Sequence, residues 1–432
     1  MCRLEECLSY SWYGVAIVST LALMGCAEHG ASIVQDLDEA FRRAAPSAAD
    51  AEKEMRWARI IEGADETVHP HKIEATSDGY RIVATGEQTV FVVEMGANGD
   101  IRSQRAIGVT FTGNAMDETD DGGFIFAGTR DGDMHLLKTD ADGNREWELT
   151  HGGEDYDSAA SVQQTRDGGY IVTGERDLQV MGELALWKVD RRGELEWSHS
   201  YVDESAYYSM GDRVREVNYG YIVAGGGCLG DTPVSHELYV VRTDDRGNLE
   251  WQYSLRKEIL HEFSVSQGAY DIQRTSDGGY VIAGGVWIPP TISIDGSEEE
   301  PPDAFPVIVK LDADGNSEWK QSIERTQTAD VLRTVRQTAD GGFILVGSTA
   351  PREEEDASQM YLVKLGDGGA IEWQRSIGAT AGVEGVLSEQ TADGGFLVAG
   401  AAPGSGHGGI QRLFVVKTDA AGNPPEEAEA WR

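Results

Sequence analysis

The chain has 432 residues, and its 74 acidic and 36 basic side chains give a formal net charge of −38 at pH 7. A surface this negative repels nucleic acid and anionic lipid headgroups, so neither is an expected partner. No apolar run reaches the roughly 18 residues that a membrane-spanning helix needs. The length suits two or three average domains or one large repeat architecture.

The first 26 residues predict export from the cytoplasm. Residues 15–25 (VAIVSTLALMG) are an apolar stretch of signal-peptide length, too short to span a membrane. Leu-Met-Gly then precedes Cys26, which resembles the bacterial lipobox, where signal peptidase cuts before a cysteine whose sulfur carries a diacylglycerol. The resemblance implies a lipoprotein signal peptide over residues 1–25, a lipid anchor on Cys26 and, because Ala27 follows, an outer-membrane location in the cell envelope. An ordinary signal peptide with a chance cysteine after it is the alternative.

The remaining cysteines exclude an internal disulfide. Cys2 and Cys7 leave with the signal peptide, so the mature chain keeps Cys228 as its only thiol besides the lipidated residue. Residues 26–53 are expected to be a tether with a short amphipathic helix, because their apolar residues recur at a spacing of four. The fold that follows must therefore be stabilised by its hydrophobic core alone.

From residue 54 onward the sequence repeats. The first half of the repeat is Gln-Thr-x-Asp-Gly-Gly-aromatic and a β-rich run to a glycine, as in residues 164–174. The second half is another β-rich run, an Asp, a Gly and a Trp four residues beyond that Gly, as in residues 187–197. Seven units result, and the shared aromatic of the last six lies 46 to 63 residues from the next, at Phe124, Tyr170, Tyr221, Tyr280, Phe343 and Phe396.

Each unit predicts four short antiparallel strands joined by glycine-containing hairpin turns. In the third unit the strands are residues 160–165, 170–174, 184–190 and 194–202. Four such strands at this period predict an all-β fold, a seven-bladed β-propeller of four-stranded antiparallel blades.

The two ends of the repeat region predict how the ring closes. The last unit lacks its Trp strand, and residues 55–63 resemble residues 371–378, which form that strand in the sixth unit. The N-terminal strand is therefore expected to complete the last blade, which removes an open sheet edge. The propeller then covers residues 54–423, and residues 424–432 are a C-terminal tail.

The repeat resembles that of secreted bacterial and archaeal β-propellers with D-G-G-[YF] and D-x-x-G-N-x-x-W motifs, which are related to the tryptophan-docking, PQQ-like repeats of quinoproteins. The resemblance covers about residues 54–423. It implies the fold and a role for the Trp residues as wedges between blades, but no activity, because this architecture hosts many functions. Quinoprotein dehydrogenases are larger, eight-bladed and carry an adjacent cysteine pair that this chain lacks, so no cofactor is predicted.

A charge pattern marks the hairpin between the third and fourth strands. One position, two residues before the turn, carries a lysine in five units (Lys138, Lys188, Lys310, Lys364, Lys417), and a glutamate precedes the Trp (Glu146, Glu196, Glu250, Glu318, Glu372). We expect Lys138 to face Glu146 directly across the strands in an exposed, weak pair that fixes the register.

Two of these turns contain aspartates at alternate positions, as calcium loops do: Asp140 with Asp142, and Asp312 with Asp314. The sibling turns replace the second Asp by Arg, Gly or Ala and always keep the Gly. A hairpin turn is therefore the favoured interpretation, and Ca²⁺ binding is the alternative. The nine histidines are scattered, and no metalloprotease, hydrolase or Walker motif is present.

The connections between second and third strands vary in length, and variable loops on a rigid scaffold commonly carry function. The fifth runs over residues 285–306 and contains Trp287, Ile288 and Phe305. Tyr207 and Tyr208 lie on a neighbouring connection of the same face. These five residues are the predicted partner-binding surface. The alternative is that the long loop packs them against its own blade.

The leading functional hypothesis is a lipid-anchored, non-catalytic binding or scaffolding module that contacts a protein or glycan partner through this variable-loop face. The alternative is a carbohydrate-active or other hydrolytic enzyme at the mouth of the central channel, where carboxylates of different blades would converge. A role like that of the eight-bladed lipoprotein of outer-membrane barrel assembly is a third hypothesis.

Overall fold

The structure is a computed structural model. It describes residues 56–61, 67–111, 113, 115–153, 156–176, 182–201, 206–229, 236–255, 266–288, 291–292, 298–300, 303–323, 328–351, 358–378, 384–403 and 411–429. The predicted signal peptide, the tether and Cys26 lie outside this range. The described residues belong to one compact unit, Met55–Arg432.

Within the described residues, seven four-stranded antiparallel sheets form the blades of a β-propeller, as predicted. Blades 1 to 3 are β2 (His69–Thr76), β3 (Gly79–Thr85), β4 (Thr89–Gly96) and β5 (Ile101–Gly108); β6 (Ala115–Glu118), β7 (Phe124–Arg130), β8 (Asp133–Thr139) and β9 (Arg145–His151); and β10 (Ser158–Gln164), β11 (Tyr170–Arg176), β12 (Glu183–Val189) and β13 (Leu195–Tyr201). Each strand pairs with the next along the chain, so the first strand of a blade is the innermost.

Blades 4 to 6 are β14 (Ala206–Val217), β15 (Gly220–Leu229), β16 (His236–Thr243) and β17 (Leu249–Ser254); β18 (Ser266–Arg274), β19 (Tyr280–Ile288), β22 (Asp303–Leu311) and β23 (Ser317–Ser322); and β24 (Thr328–Gln337), β25 (Phe343–Pro351), β26 (Gln359–Leu365) and β27 (Ile371–Ile377). The fifth long connection carries a separate small hairpin of β20 (Thr291–Ile292) and β21 (Glu298–Glu300).

Blade 7 joins the two ends of the chain. Its strands are β28 (Glu384–Gln390), β29 (Phe396–Pro403), β30 (Gln411–Lys417) and β1 (Trp57–Ile61). The N-terminal β1 pairs antiparallel with β30, with Trp57 opposite Lys417, which confirms the predicted closure. Beyond β30 the chain forms α1 (Glu426–Glu429), and Ala428 of this helix is buried in a core cluster with Ala58.

In six of the seven blades a Trp of the fourth strand packs against the following blade, as the sequence predicts, whereas β5 of blade 1 has no Trp. The Trp147 ring of blade 2 lies 5.4 Å from the Tyr170 ring of blade 3, edge to face. It also covers Gly193 in the turn after β12, where a Cβ would lie 2.7 Å from the indole. Gly193 has a φ of +88°, so this position needs glycine both for its conformation and for the close approach.

The repeated lysines are buried, and this corrects the prediction of exposed, weak pairs. The side chain of Lys138 is 2% exposed, and its Nζ lies 2.9 Å from Glu146 Oε2 and 3.0 Å from Asp121 Oδ2. Lys138 is opposite Trp147 in the register, and a bulge follows it, so Glu146 does not face it directly. The second carboxylate comes from the D-G-G turn, a partner that the sequence analysis missed.

The Asp-x-Asp-Gly-Asn segments are hairpin turns, as the sibling comparison predicted. Asp140 Oδ1 accepts hydrogen bonds of 2.9 Å from the backbone N–H groups of Asp142 and Asn144. Asp312 makes the same bonds to Asp314 and Asn316. In the portion of the chain that is described, no group of three or more His, Cys, Asp or Glu side chains is arranged to hold a metal ion. That portion also contains no helix with the length and hydropathy needed to cross a membrane.

Candidate functional site

The innermost strands line the central channel, and six of them carry a β-bulge at an equivalent position. One residue is left out of the pairing at the same place in each of β2, β10, β14, β18, β24 and β28. The extra residues are His71, Ala160, Asp212, Tyr270, Arg333 and Val386. A regular strand alternates its side chains between two faces, whereas a bulge turns two successive side chains to one side.

The channel contains a cavity of about 1320 Å³ that is lined by residues of all seven blades. Its lining follows the innermost strands along most of their length, as far as Gln163, Arg336 and Glu389, and includes the connection after β3. That connection lies at the end of the ring where second strands connect to third strands, because each innermost strand begins there. The cavity therefore extends along the channel from the variable-loop face.

In blades 4 to 6 the bulge places two consecutive side chains in the cavity wall. These pairs are Asp212 with Arg213, Tyr270 with Asp271, and Arg333 with Thr334. The wall contributed by these three successive blades therefore has two layers of polar side chains. The bulge residues Asp212, Tyr270 and Arg333 form the upper layer, nearer the variable-loop face, and Arg213, Asp271 and Thr334 form the lower layer.

Three arginines surround one buried carboxylate in this wall. Asp271 is 1% exposed, and its Oδ2 lies 2.5 Å from Arg336 Nη1. Its Oδ1 lies 3.3 Å from Arg215 Nη2 and 3.9 Å from Arg213 Nε. Burial acts to raise the pKa of Asp271, but the three guanidinium groups hold it below its ordinary value. Three guanidinium groups thus outnumber the one carboxylate that they contact, while the cavity lining as a whole contains five lysine or arginine and five acidic side chains.

Arg215, the central arginine of this cluster, stays charged despite its partial burial. Desolvation, together with the charges of Arg213 and Arg336, lowers the pKa of Arg215 to about 10. At neutral pH the group remains protonated. A cation that is desolvated to this extent gains more from an anion than a solvated surface arginine does.

Three polar atoms of cavity-lining residues are buried and make no hydrogen bond. They are Arg213 Nε, Thr334 Oγ1 and Ser388 Oγ. Buried donors and hydroxyls are normally satisfied, because an unmade hydrogen bond costs about 1–3 kcal/mol. Because these atoms are closed to solvent, a ligand in the cavity could bond to them only after a rotation of their side chains.

The upper layer of the same wall holds two titratable groups on adjacent blades. Burial, and then the charge of Glu175, raise the pKa of Asp212 to about 7 against the opposing charge of Arg213. Burial also raises the pKa of Tyr270, with Arg333 lowering it and Asp212 raising it. The Tyr270 ring lies on Gly285, where a Cβ would be 3.0 Å from the ring and 3.1 Å from the hydroxyl.

The opposite wall, from blades 1 and 2, is not cationic. His71 Nε2 lies 2.7 Å from Thr85 Oγ1, and burial, then Arg213 and His69, lower the pKa of His71 to about 4. The imidazole is therefore neutral at pH 7, and the field of Arg213 reaches it from across the channel. Asp117 on blade 2 accepts a hydrogen bond of 3.2 Å from the Gln164 N–H, and burial raises its pKa.

The residues of the predicted partner-binding surface lie in strands and not in loops. Phe305 is 9% exposed and belongs to the hydrophobic core cluster of blades 4 and 5, so it is not a surface residue of a loop. Trp287 and Ile288 lie in β19, opposite Ala304 and Asp303.

The predicted loop over residues 285–306 is therefore wrong at both ends, because β19 and β22 remain paired there. Tyr207 and Tyr208 also lie in a strand, β14, with Tyr208 opposite Cys228. The side chains of these two tyrosines, Trp287 and Ile288 lie outside the described part of the structure.

The channel residues were not predicted from the repeat motif, because they differ from one unit to the next. A usable signal was present: charged residues two apart, as in Arg213 and Arg215, stand just before the degenerate repeat motif of the fourth unit. Charge at alternate positions of a predicted innermost strand indicates a polar channel lining.

Comparison with known proteins identifies the fold alone. No family model and no curated protein matches the chain. The solved polysaccharide lyase Uly1 is similar in structure, with a TM-score of 0.51, 10% sequence identity, and coverage of 87% of this chain and 96% of the lyase. The AfRom2 CNH domain gives a TM-score of 0.46 at 8% identity, covering 84% of this chain and 99% of that domain.

The α-L-arabinofuranosidase Arb93A of Fusarium graminearum gives a TM-score of 0.44 at 10% identity, covering 71% of this chain and 92% of the enzyme.

Proposed function

We propose that this protein is a lipid-anchored envelope β-propeller that binds an anionic saccharide in the half of its channel that opens toward the variable-loop face. The observation that carries the proposal is the set of three arginines on the single carboxylate of Asp271. An anion placed there would neutralise excess positive charge in a desolvated wall.

The choice of a saccharide rests on the rest of the lining. Thr334 and Ser388 lie in the cavity wall with unbonded hydroxyl groups, which could serve the hydroxyl groups of a sugar once their side chains rotate toward the channel. Tyr270 adds an aromatic ring, and sugar-binding sites combine such rings with a few polar groups. A polysaccharide lyase shares the fold, and it guides the choice of saccharide probes.

The anchoring part of the proposal comes from the sequence. Cys26 in its lipobox-like context would hold the propeller at the outer membrane, where glycans that carry carboxylate or sulfate groups can be met. The negative charge of the whole chain repels bulk polyanions from the surrounding surface, so an anionic ligand would be held at the arginine cluster rather than by the chain in general.

Titration calorimetry on the mature chain tests the proposal with oligogalacturonate, a sulfated galactan oligosaccharide and a neutral cello-oligosaccharide of equal length. We expect binding of an anionic probe, no binding of the neutral one, and a loss on the order of 10- to 100-fold for Arg213→Ala. Arg105→Ala is the matched control, because Arg105 is exposed on the outer strand β5. Equal binding by the two variants would refute the channel site.

A protein partner on the variable-loop face is the second candidate function. The observation in its favour is that β14, β15 and β19, with 12, 10 and 9 residues, are longer than the seven-residue second strands of blades 1 to 3. Affinity capture from the native envelope with Trp287→Ala and Tyr207→Ala variants tests it. A stoichiometric partner lost in both variants supports this candidate, and the same partner retained in both counts against it.

A further inference from the structure

We infer that the upper layer of the cavity wall is an acid–base pair, so that the bound saccharide is a uronate whose glycosidic bond the protein breaks by β-elimination. Asp212 acts as the base and Tyr270 as the acid, while Arg213 holds the uronate carboxylate. This inference rests on the proposed function, because the same arginine cluster must first bind the anion.

The geometry that carries the inference is the pair of bulges in β14 and β18. Each bulge directs two consecutive side chains into one cavity, so Asp212 stands beside Arg213, and Tyr270 beside Asp271. Because β14 and β18 are the innermost strands of adjacent blades, Asp212 and Tyr270 occupy equivalent positions of neighbouring walls. A carboxylate-binding cation and two proton-transfer groups thus face the same volume.

The reaction balances with these groups alone. The Asp212 carboxylate takes the proton from the carbon that bears the uronate carboxylate, and the freed electron pair forms a double bond to the neighbouring carbon. The bond from that neighbouring carbon to the glycosidic oxygen breaks, and the Tyr270 hydroxyl gives its proton to the leaving oxygen. Negative charge that develops on the uronate carboxylate is stabilised by the Arg213 guanidinium.

Elimination fits this wall better than hydrolysis by paired carboxyl groups does. A glycosidase needs two carboxyl groups that flank the scissile bond, one as an acid and one as a nucleophile or base. Asp271, the other carboxylate of this wall, is 1% exposed and engaged by three guanidinium groups. It is held ionised and fixed, so Asp212 is the carboxyl in these three blades that can exchange a proton near neutral pH.

The experiment follows turnover and binding separately in the mature chain. Polygalacturonate, alginate and glucuronan are supplied in turn, and the ultraviolet absorbance of the conjugated unsaturated uronate reports elimination. We expect product from at least one polymer, and losses of roughly 100-fold or more for Asp212→Asn and Tyr270→Phe with calorimetric affinity retained. Asp314→Asn, in an exposed turn, is the matched control and should keep full turnover.

A pH profile separates a catalytic role from a structural one. The charged groups that act on Asp212 are Glu175 of β11 and Arg213 of its own strand, while Asp212 in turn raises the pKa of Tyr270 of β18. The base must be ionised, so kcat/KM should rise up to about pH 7 and then level off. Glu175→Gln removes a charge that raises the pKa of Asp212, so the rising limb should move to lower pH.

The outcomes distinguish the two proposals. Binding of a uronate without any unsaturated product overturns the elimination and leaves the binding function intact. Absence of binding overturns both. Product formation that Asp212→Asn and Tyr270→Phe do not reduce overturns the assignment of the acid–base pair.

Discussion

Gly123 leaves the space in which Lys138 is buried. A Cβ at Gly123 would lie 2.1 Å from the backbone oxygen of Thr139 and 2.8 Å from Lys138 Nζ, closer than real Cβ atoms approach another heavy atom. The second glycine of the D-G-G motif is therefore required both by the adjacent strand backbone and by the buried lysine of that strand. The first glycine, Gly122, has a different reason, because its φ is +80° and a Cβ there meets ordinary van der Waals contact.

The two glycines should thus respond differently to alanine. Gly123→Ala must displace a buried, doubly paired ammonium group, and we expect a loss of about 2–4 kcal/mol in the free energy of unfolding. Gly122→Ala meets backbone strain alone and should cost about 1 kcal/mol. Denaturant unfolding followed by tryptophan fluorescence measures both. Equal losses would show that Lys138 does not depend on the missing Cβ.

Acid should weaken the blades at the D-G-G turns. Burial acts to raise the pKa of Asp121, but hydrogen bonds from Thr119, Gly123 and Lys138 lower it to about 2. The pKa values of the equivalent Asp277 and Asp340 are also about 2.

A folded-state pKa below the unfolded value of about 3.9 gives stability that is present above pH 4 and is lost as the pH falls toward 2. The denaturant concentration at the midpoint of unfolding should therefore decrease as the pH is lowered from about 4 to about 2. The triple Asp→Asn variant should show a smaller fall over that interval. Asp314→Asn serves as the comparison because it removes a turn carboxylate without touching a buried lysine. An unchanged midpoint in the parent chain would contradict the expectation.

Replacing Tyr219 by glycine should stabilise the folded protein. It has a φ of +60° and is 87% exposed, whereas the equivalent positions of five other blades are glycines with positive φ. Tyr219→Gly relieves the left-handed strain and should raise the melting temperature by a few degrees, which corresponds to about 1 kcal/mol. Tyr219→Ala removes the ring but keeps the Cβ, so it should give no comparable gain. A similar rise in both variants would assign the effect to the exposed ring.

Gly285 should control the position of Tyr270 in the cavity. Gly285→Ala introduces a Cβ 3.0 Å from the tyrosine ring, so the ring must shift by a few tenths of an ångström. Ligand affinity or turnover should fall several-fold while the melting temperature stays close to that of the parent. Gly153→Ala is the matched control, because a Cβ there meets open space. Unchanged ligand affinity and turnover would separate Tyr270 from the site.

Cys26 should decide where the protein resides. Cys26→Ser removes the sulfur that a lipid would modify, so the protein should move from the membrane fraction to the soluble fraction of the envelope. Metabolic labelling with a fatty-acid analogue gives the direct readout, and Cys228→Ser is the control. Labelling that persists in Cys26→Ser would refute the lipidation site.

The repeat motif was sufficient to predict the blades and the ring closure, because turn glycines, alternating apolar residues and docking Trp residues recur at each unit. The burial of Lys138 could not be predicted in this way. It depends on a bulge that shifts Glu146 out of direct register and on a carboxylate from a different hairpin. Neither feature changes the spacing of residues along the sequence.

The candidate site was the least predictable part. Its residues stand on the innermost strands, which differ from blade to blade because each contributes a different side chain to one shared volume. Asp271 illustrates this, since its partners Arg215 and Arg336 come from the blades on either side of it. Contacts among blades more than 50 residues apart leave no local pattern.

The pairing of β1 with β30 gives the folding of this protein a fixed order at its end. Six blades are made of contiguous chain, but the seventh needs segments more than 350 residues apart, Trp57–Ile61 and Gln411–Lys417. During synthesis the first strand therefore stays unpaired until the last strand has been made. A chain that ends before β30 would leave β1 without its partner, and proteolytic removal of the residues before 62 would leave β30 without its partner. The last blade is therefore complete only when both ends of the propeller are intact.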